Sequence, residues 1–283
     1  MPSLLFDTLH VNRSGAITAV SQGLQAVGIP AVPTFHVTED VATLAEAGAA
    51  CALHGHGACL RLGSIYGDPD FIATDRLLAQ ILAKVGVATA NVDLVLDFSE
   101  IANRRVLSAT VQPALDALHW AASRGPWRSV VLASGAFPPN ITTFPRGVLQ
   151  ATPRLDAELY GLVITKAPAI EPDFGDYGIH NPALPPDTGG YRPLPNIRYA
   201  ADLNWQILRE ERARPGNESF YTVAQGITSS GFWPGAAYSP GDHEIDLCSQ
   251  EARGPGGPRE WVQWGLAHHI AHVADRLAIL GEP

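Results

Sequence analysis

Positive charge is scarce in this chain: 19 Lys and Arg stand against 28 Asp and Glu in 283 residues, a formal net charge of −9. Broad nucleic-acid binding needs a basic face that displaces counterions from phosphates, so this balance argues against it. A local basic groove stays open, because net charge does not say where charge sits. Long apolar runs are also missing. A membrane-spanning helix needs about 18 or more consecutive apolar residues, and none occurs. The opening MPSLLFDTLHVNRSG has no basic segment followed by a long apolar core, so it does not read as a signal peptide. A cytoplasmic protein is expected, and the Asn-x-Ser/Thr sites at Asn12, Asn140 and Asn217 are then chance matches.

Cysteine is sparse. Cys51, Cys59 and Cys248 have no CxxC spacing and no zinc-knuckle partner, so buried reduced thiols are expected and no structural metal or cofactor is called. The phosphate loops GxGxxG and GxxxxGK[ST] and the nucleophile elbow GxSxG are absent. Ser134 in ASGAF resembles an elbow but lacks the glycine two residues before it, which argues against serine-hydrolase chemistry.

What is present is a globular composition, 46% hydrophobic and 17% charged, with a strand–helix rhythm. Strands are predicted over Leu4–Asp7, Ala31–Val37, Ala58–Leu62, Val92–Phe98 and Ser129–Ala133; Pro33 would weaken a central ladder. Between them, helical periods run over Ala16–Val27, Thr38–Ala50, Asp70–Lys84 and Arg105–Arg124, the first stopped by Gly28 and Pro30 and the second capped by Thr38. This alternation, at a spacing of roughly 30 residues, is what parallel βα units require. Pro153–Lys166 reads either as a strand or as an amphipathic helix, and the rhythm favours the helix. Asp173–Tyr177 and Ile197–Ala200 are the last strands, joined by a turn-rich loop over Pro182–Pro195. Asn204–Leu208 could extend the last strand as a hairpin, and helices follow over Ser219–Ser229, Ser239–Glu251 and Arg259–Leu280. The reading is a TIM-barrel-like α/β fold in one domain, with βα units over 1–210 and C-terminal helices over 211–283. Seven strands are counted where a closed barrel has eight.

In such a barrel the C-terminal ends of the strands line the functional face. Those ends are Asp7, His36, Arg61, Asp97, Ser134, Asp176 with Tyr177, and Arg198 with Tyr199. Arg61 and Arg198 would clamp an anionic or phosphorylated ligand, Asp97 or Asp176 would move a proton, and Tyr177 and Tyr199 would contact the ligand. The bland alternative is an internal ion-pair network. On the terminal helix His268 could reach the mouth as acid or base, whereas His269 falls on the apolar stripe and should bond a neighbouring backbone group. The HHIAH pattern lacks the Glu of HExxH, so no metal site is called. HGHG at 54–57 reads as a turn, and GDPD at 67–70 as a loop and helix cap.

Four pieces in order, FGDYG at 174–178, IRYA…W at 197–205, SPGDHEI at 239–245 and W…HHI..V at 264–273, resemble the beta protein family, named for a T-even phage protein. With RL at 61–62, LDF at 96–98 and FP at 137–138, the resemblance covers roughly residues 58–276. It implies an α/β barrel of phage or phage–host-conflict context and names no reaction. It also implies an extra strand–helix unit ahead of this start, which would supply the eighth strand. Two functions follow: an enzyme acting on an anionic small molecule or nucleotide, or a non-catalytic protein engaging a protein partner. An enclosed mouth with unpaired Asp and Arg would favour the enzyme; a flat, fully ion-paired face would favour the binder.

Overall fold

A computed structural model describes residues 3–9, 11, 14–63, 69–183, 195–210 and 218–283. The glycosylation sequons at Asn12 and Asn217 and most of the expected loops at 67–70 and 182–195 lie outside the described residues. The chain divides into two compact units: unit 1 is Met1–Ser99, Ser108–Ser134 and Leu162–Gly175; unit 2 is Glu100–Leu107, Gly135–Gly161 and Asp176–Pro283.

Unit 1 contains an α/β layer around a six-stranded parallel sheet. Its strands are β1 (Leu4–Phe6), β2 (Ala31–His36), β3 (Ala58–Gly63), β4 (Val92–Glu100), β5 (Ser129–Gly135) and β7 (Asp173–Gly175), adjacent in that order. Helices α1 (Ala16–Ala26), α2 (Val41–His54), α3 (Phe71–Val85) and α4 (Arg104–Arg124) make the first four crossovers. A parallel sheet covered by helices is buried on both faces and needs near-continuous apolar strands. Leu60, Leu62, Leu94 and Leu96 satisfy this, each at most 2% exposed. Pro33 is accommodated because β2 pairs with β1 through Ala31–Pro33 and with β3 through Thr34–His36, so the residue without an N–H sits where one ladder gives way to the other. Helix α2 is capped by Asp40, whose carboxylate accepts the Thr43 N–H at 2.8 Å, rather than by Thr38.

Unit 2 holds β6 (Gln150–Pro153), β8 (Asn196–Ala201) and β9 (Asn204–Arg209) in an antiparallel sheet ordered β6-β9-β8. This corrects the expected seventh barrel strand: Ile197–Ala200 pairs with β9 instead of joining the parallel sheet. The physical reason is local. Asp202 and Leu203 form a two-residue turn, with Asp202 at φ 50, and such a hairpin closes at far less entropic cost than a distant parallel pairing. Leu162–Ile164 is helical, at the end of α5 (Leu155–Ile164), as the rhythm favoured. Among the described residues no strand joins β1 to β7, the two edges of the parallel sheet.

Behind β8 and β9 pack α6 (Ser219–Thr228), α7 (Pro240–Ser249) and α8 (Pro258–Leu280), around Tyr199, Phe220, Ile245, Trp261 and Trp264. Ser239 caps α7 by accepting the Asp242 N–H at 3.1 Å, with Pro240 in the first turn. Helices α7 and α8 touch at Gly241, where a Cβ would lie 2.1 Å from the Trp264 carbonyl oxygen. None of the described helices is long and apolar enough to cross a membrane.

Candidate functional site

Four strand-end residues meet in unit 1. Arg61 donates from Nε to Asp97 Oδ2 at 2.8 Å, makes a second contact with that oxygen through Nη2, and donates from Nη1 to Asp7 Oδ2 at 2.9 Å. His36 Nε2 lies 3.3 Å from Asp7 Oδ2, and Asp97 Oδ1 accepts the Ser99 N–H at 2.8 Å. Burial works to raise the Asp7 carboxyl, but His36, the Leu9 amide and Arg61 together hold it down at about 2. The set is therefore a line of alternating charges in which the one guanidinium is shared by two carboxylates. Asp97 is fully buried, while Asp7 and Arg61 are about one-fifth exposed. Ser134 is buried at the end of β5.

At the other ends of the strands lies a cavity of about 350 Å³, lined by Cys51, Gly55, His56, Gly57, Asn91 and Arg128 among others. The HGHG segment is a turn, as expected. Gly55 caps α2 at φ 69, and Gly57 is at φ 73, where a Cβ would lie 2.1 Å from the Asn91 carbonyl oxygen.

In unit 2 Asp176 lies against α8. Its Oδ2 lies 2.6 Å from His269 Nε2 and 3.4 Å from Arg154 Nη2, and its Oδ1 accepts the Gly178 N–H at 2.8 Å. Burial raises this carboxyl, yet His269, the Gly178 amide and Arg154 outweigh it and keep Asp176 below the usual range. Arg154 is completely buried and also donates to Asp156 Oδ2 at 3.1 Å, its guanidinium lying 5.3 Å over the Trp205 ring. Full burial pushes the Asp156 carboxyl up, against the pull of Arg154 and with the push of the Asp176 charge.

This cluster holds three buried polar atoms without a hydrogen-bond partner among the described residues: His269 Nδ1, Asp156 Oδ1 and Trp205 Nε1. Leaving such an atom unsatisfied costs about 1–3 kcal/mol, and native structures tolerate it where strain, chemistry or a further polar group accounts for it. An ionised Asp176 only accepts, so Nε2 of His269 is the nitrogen that donates to it, and in a neutral ring Nδ1 is then the one with a lone pair.

His268 departs from expectation. It is 1% exposed, with Nδ1 2.9 Å from Asp242 Oδ2 and Nε2 2.9 Å from the Ala200 carbonyl oxygen. Both nitrogens are thus engaged, and the ring is stacked on Tyr199 with centroids 3.6 Å apart. Asp242 also accepts from Tyr199 Oη and from Ser239 Oγ, each at 2.6 Å. Tyr199, placed at a ligand-facing strand end by sequence, therefore points into this buried network; burial and Asp242 push its phenol far above the ordinary range. His269, expected to bond backbone, meets a carboxylate instead. Helix rotation separates the adjacent histidines by about 100°, and the partners on each side decide their roles.

Arg198 donates from Nη1 to the Ile179 carbonyl at 2.9 Å and lies 4.8 Å over the Phe137 ring. Tyr177 is half-buried beside Gly135, where a Cβ would lie 3.0 Å from the Tyr177 ring. The sequence-selected residues thus fall into three clusters, Arg61 and Asp97 with Asp7 and His36, Asp176 with His269, and Tyr199 with His268, while Arg198, Tyr177 and Ser134 stand outside them.

Sequence reasoning missed Arg154, Asp156 and the role of His269. RLDAE at the start of a helix reads as ordinary first-turn acidity, and no local signal marks Arg154 as buried. A family model described as Beta protein matches residues 4–275 of the chain. No curated protein and no solved structure matches it. The chain belongs to the Beta protein family.

Proposed function

We propose that this Beta protein family member is an enzyme acting on a small anionic molecule, with His269 as general base and Asp176 as the group that orients it. The observation that carries this reading is the imidazole held at 2.6 Å by an ionised carboxylate on one side, with its other nitrogen buried and unpartnered among the described residues. A base fixed by a carboxylate is the arrangement that proton transfer in nucleophilic and hydrolytic chemistry uses. The Nδ1 lone pair would take a proton from a hydroxyl of the substrate or from water. Asp176 would stabilise the imidazolium that results, and Arg154 would help to keep Asp176 charged.

Positioned acid–base groups contribute about 10²–10⁴ in rate. The test is a turnover screen of the purified chain against phosphosugars, nucleotides and their hydrolysable esters, with His269→Gln alongside. Turnover that falls by about that factor in a folded variant supports the proposal. Turnover that is indifferent to His269 removes it.

The alternative, a non-catalytic protein that engages a protein partner, draws support from the ion-paired Asp7–Arg61–Asp97 set, which satisfies its own charges. The phage–host-conflict setting belongs to this proposal through the family resemblance. Strands adjacent in chain order, with crossover helices, support a TIM-barrel-like arrangement for the parallel sheet. The free thiols at Cys51, Cys59 and Cys248 support a reducing, cytoplasmic location.

A further inference from the structure

We infer that Arg198, flanked by His180, is the seat of a phosphate-monoester group on the substrate of the site proposed above. The inference rests on that reading for the identity of the reaction, but not for the binding itself.

Among the described residues Arg61 pairs with Asp7 and Asp97, Arg128 with Asp93, and the fully buried Arg154 with Asp156 and Asp176, while the buried Arg209 donates to two carbonyls, those of Thr142 and Phe144. Arg198 is part-buried on β8 and meets no carboxylate among the described residues; its hydrogen bond goes to the carbonyl of Ile179, the residue before His180. Phe137 covers one face of the guanidinium. A desolvated guanidinium without a counter-ion is costly, and its fork of donors matches a phosphate or carboxylate.

His180 distinguishes the two anions. His180 is exposed at the end of the turn, and partial desolvation and then the Arg198 charge hold its imidazole below the ordinary range, Arg198 being the one charged group acting on it among the described residues. A carboxylate brings a single charge, which Arg198 satisfies. A phosphomonoester is largely dianionic near neutrality, and its second charge favours reprotonation of His180. Capture of the dianion is therefore coupled to proton uptake.

Position links this seat to the proposed base. The turn that starts at Asp176 ends at His180, with Gly178 at φ 57 and close to α8, where a Cβ would lie 2.7 Å from the end of the Leu266 side chain. A Cβ at Gly265 would lie 2.9 Å from the Arg198 carbonyl oxygen and 3.1 Å from Ile179. One helical turn beyond Gly265, the same helix carries His269.

The test is calorimetric titration of the full chain with inorganic phosphate, glycerol 3-phosphate and acetate, each in two buffers of different ionisation heat. The expected result is that glycerol 3-phosphate binds tightest, phosphate next, and acetate at least about tenfold weaker than phosphate. Proton uptake accompanies the phosphates only, and His180→Gln abolishes the uptake. Arg198→Gln loses phosphate binding. Should that variant not fold, Arg198→Lys keeps the charge, loses the fork and binds phosphate more weakly. His269→Gln still binds phosphate even where turnover is lost, which separates failure of the seat from failure of the base. Phosphate binding unchanged in either Arg198 variant, acetate as tight as phosphate, or no binding at millimolar phosphate overturns the inference. Equal affinity for phosphate and glycerol 3-phosphate overturns the assignment to a substrate.

Discussion

His269 and Asp176 stand 93 residues apart in the chain and meet at 2.6 Å, imidazole Nε2 to carboxylate Oδ2. In the proposed reaction the two divide the chemistry: the carboxylate holds the hydrogen of the neutral ring on Nε2, Nδ1 accepts the proton, and Asp176 acts as a positioning residue for its partner on α8.

Asp176→Asn tests that division. An amide facing Nε2 can donate, which moves the ring hydrogen to Nδ1 and removes the base. The expected outcome is a fall in kcat of up to about 10⁴, with KM little changed, because the tautomer and not the substrate contact is altered. Steady-state kinetics on whichever substrate the turnover screen identifies gives the split between kcat and KM. A loss confined to KM would place Asp176 in substrate binding instead.

Arg61 is expected to be structural. Arg61→Met removes the guanidinium paired with the fully buried Asp97 carboxylate, and breaking such a pair costs about 3–5 kcal/mol. Urea unfolding measures this loss, and Asp97→Asn added to Arg61→Met should recover part of it. Phosphate affinity should be the same in Arg61→Met as in the parent chain; a selective loss would return Arg61 to the ligand-binding group.

The Asp7 carboxyl sits at about 2 in the folded chain against 3.8 in the unfolded reference. A carboxyl held down by folding adds stability that is fully present above 3.8 and fades as pH falls through about 2. The difference corresponds to about 2 kcal/mol at neutral pH. Asp7→Asn should therefore be less stable than the parent at pH 7, and the gap should narrow as pH falls across that window. A gap independent of pH would mean that packing, not charge, is what Asp7 supplies.

Tyr199→Phe removes the hydroxyl that donates to buried Asp242 Oδ1 at 2.6 Å. A hydrogen bond to a charged group is worth about 1.5–3 kcal/mol, so thermal unfolding should move down accordingly. Turnover at the plateau should be unchanged, since Tyr199 belongs to the network around His268. A variant of full stability but reduced turnover would show that Tyr199 faces a ligand after all.

Much of the fold was legible because it is written locally. Val92–Phe98 is apolar and β-branched, Ala16–Val27 repeats at a helical period, and Gly28 and Pro30 stop it; each pattern needs only its own neighbours in the chain. Propensity alone leaves LVIT ambiguous, and the strand–helix rhythm marks Leu162–Ile164 as the end of a helix. The hairpin at Ile197–Arg209 was visible as a possibility, but its membership of a second sheet was not. Sheet membership depends on the competition between a two-residue turn and a distant edge, and propensity does not register that competition.

The sequence by itself determined the alternation of strands and helices, the family, and a set of polar residues at strand ends that includes Asp7, Arg61, Asp97, Asp176 and Arg198. Only the tertiary structure decided what each of them is for. Charge and hydrogen-bond capacity are properties of a residue, whereas neutralisation is a property of a pair, and the pairs here are long-range. Arg61 is shared by two carboxylates, Arg198 meets none among the described residues, and of two adjacent histidines one is held at both nitrogens while the other keeps Nδ1 without a hydrogen-bond partner among the described residues.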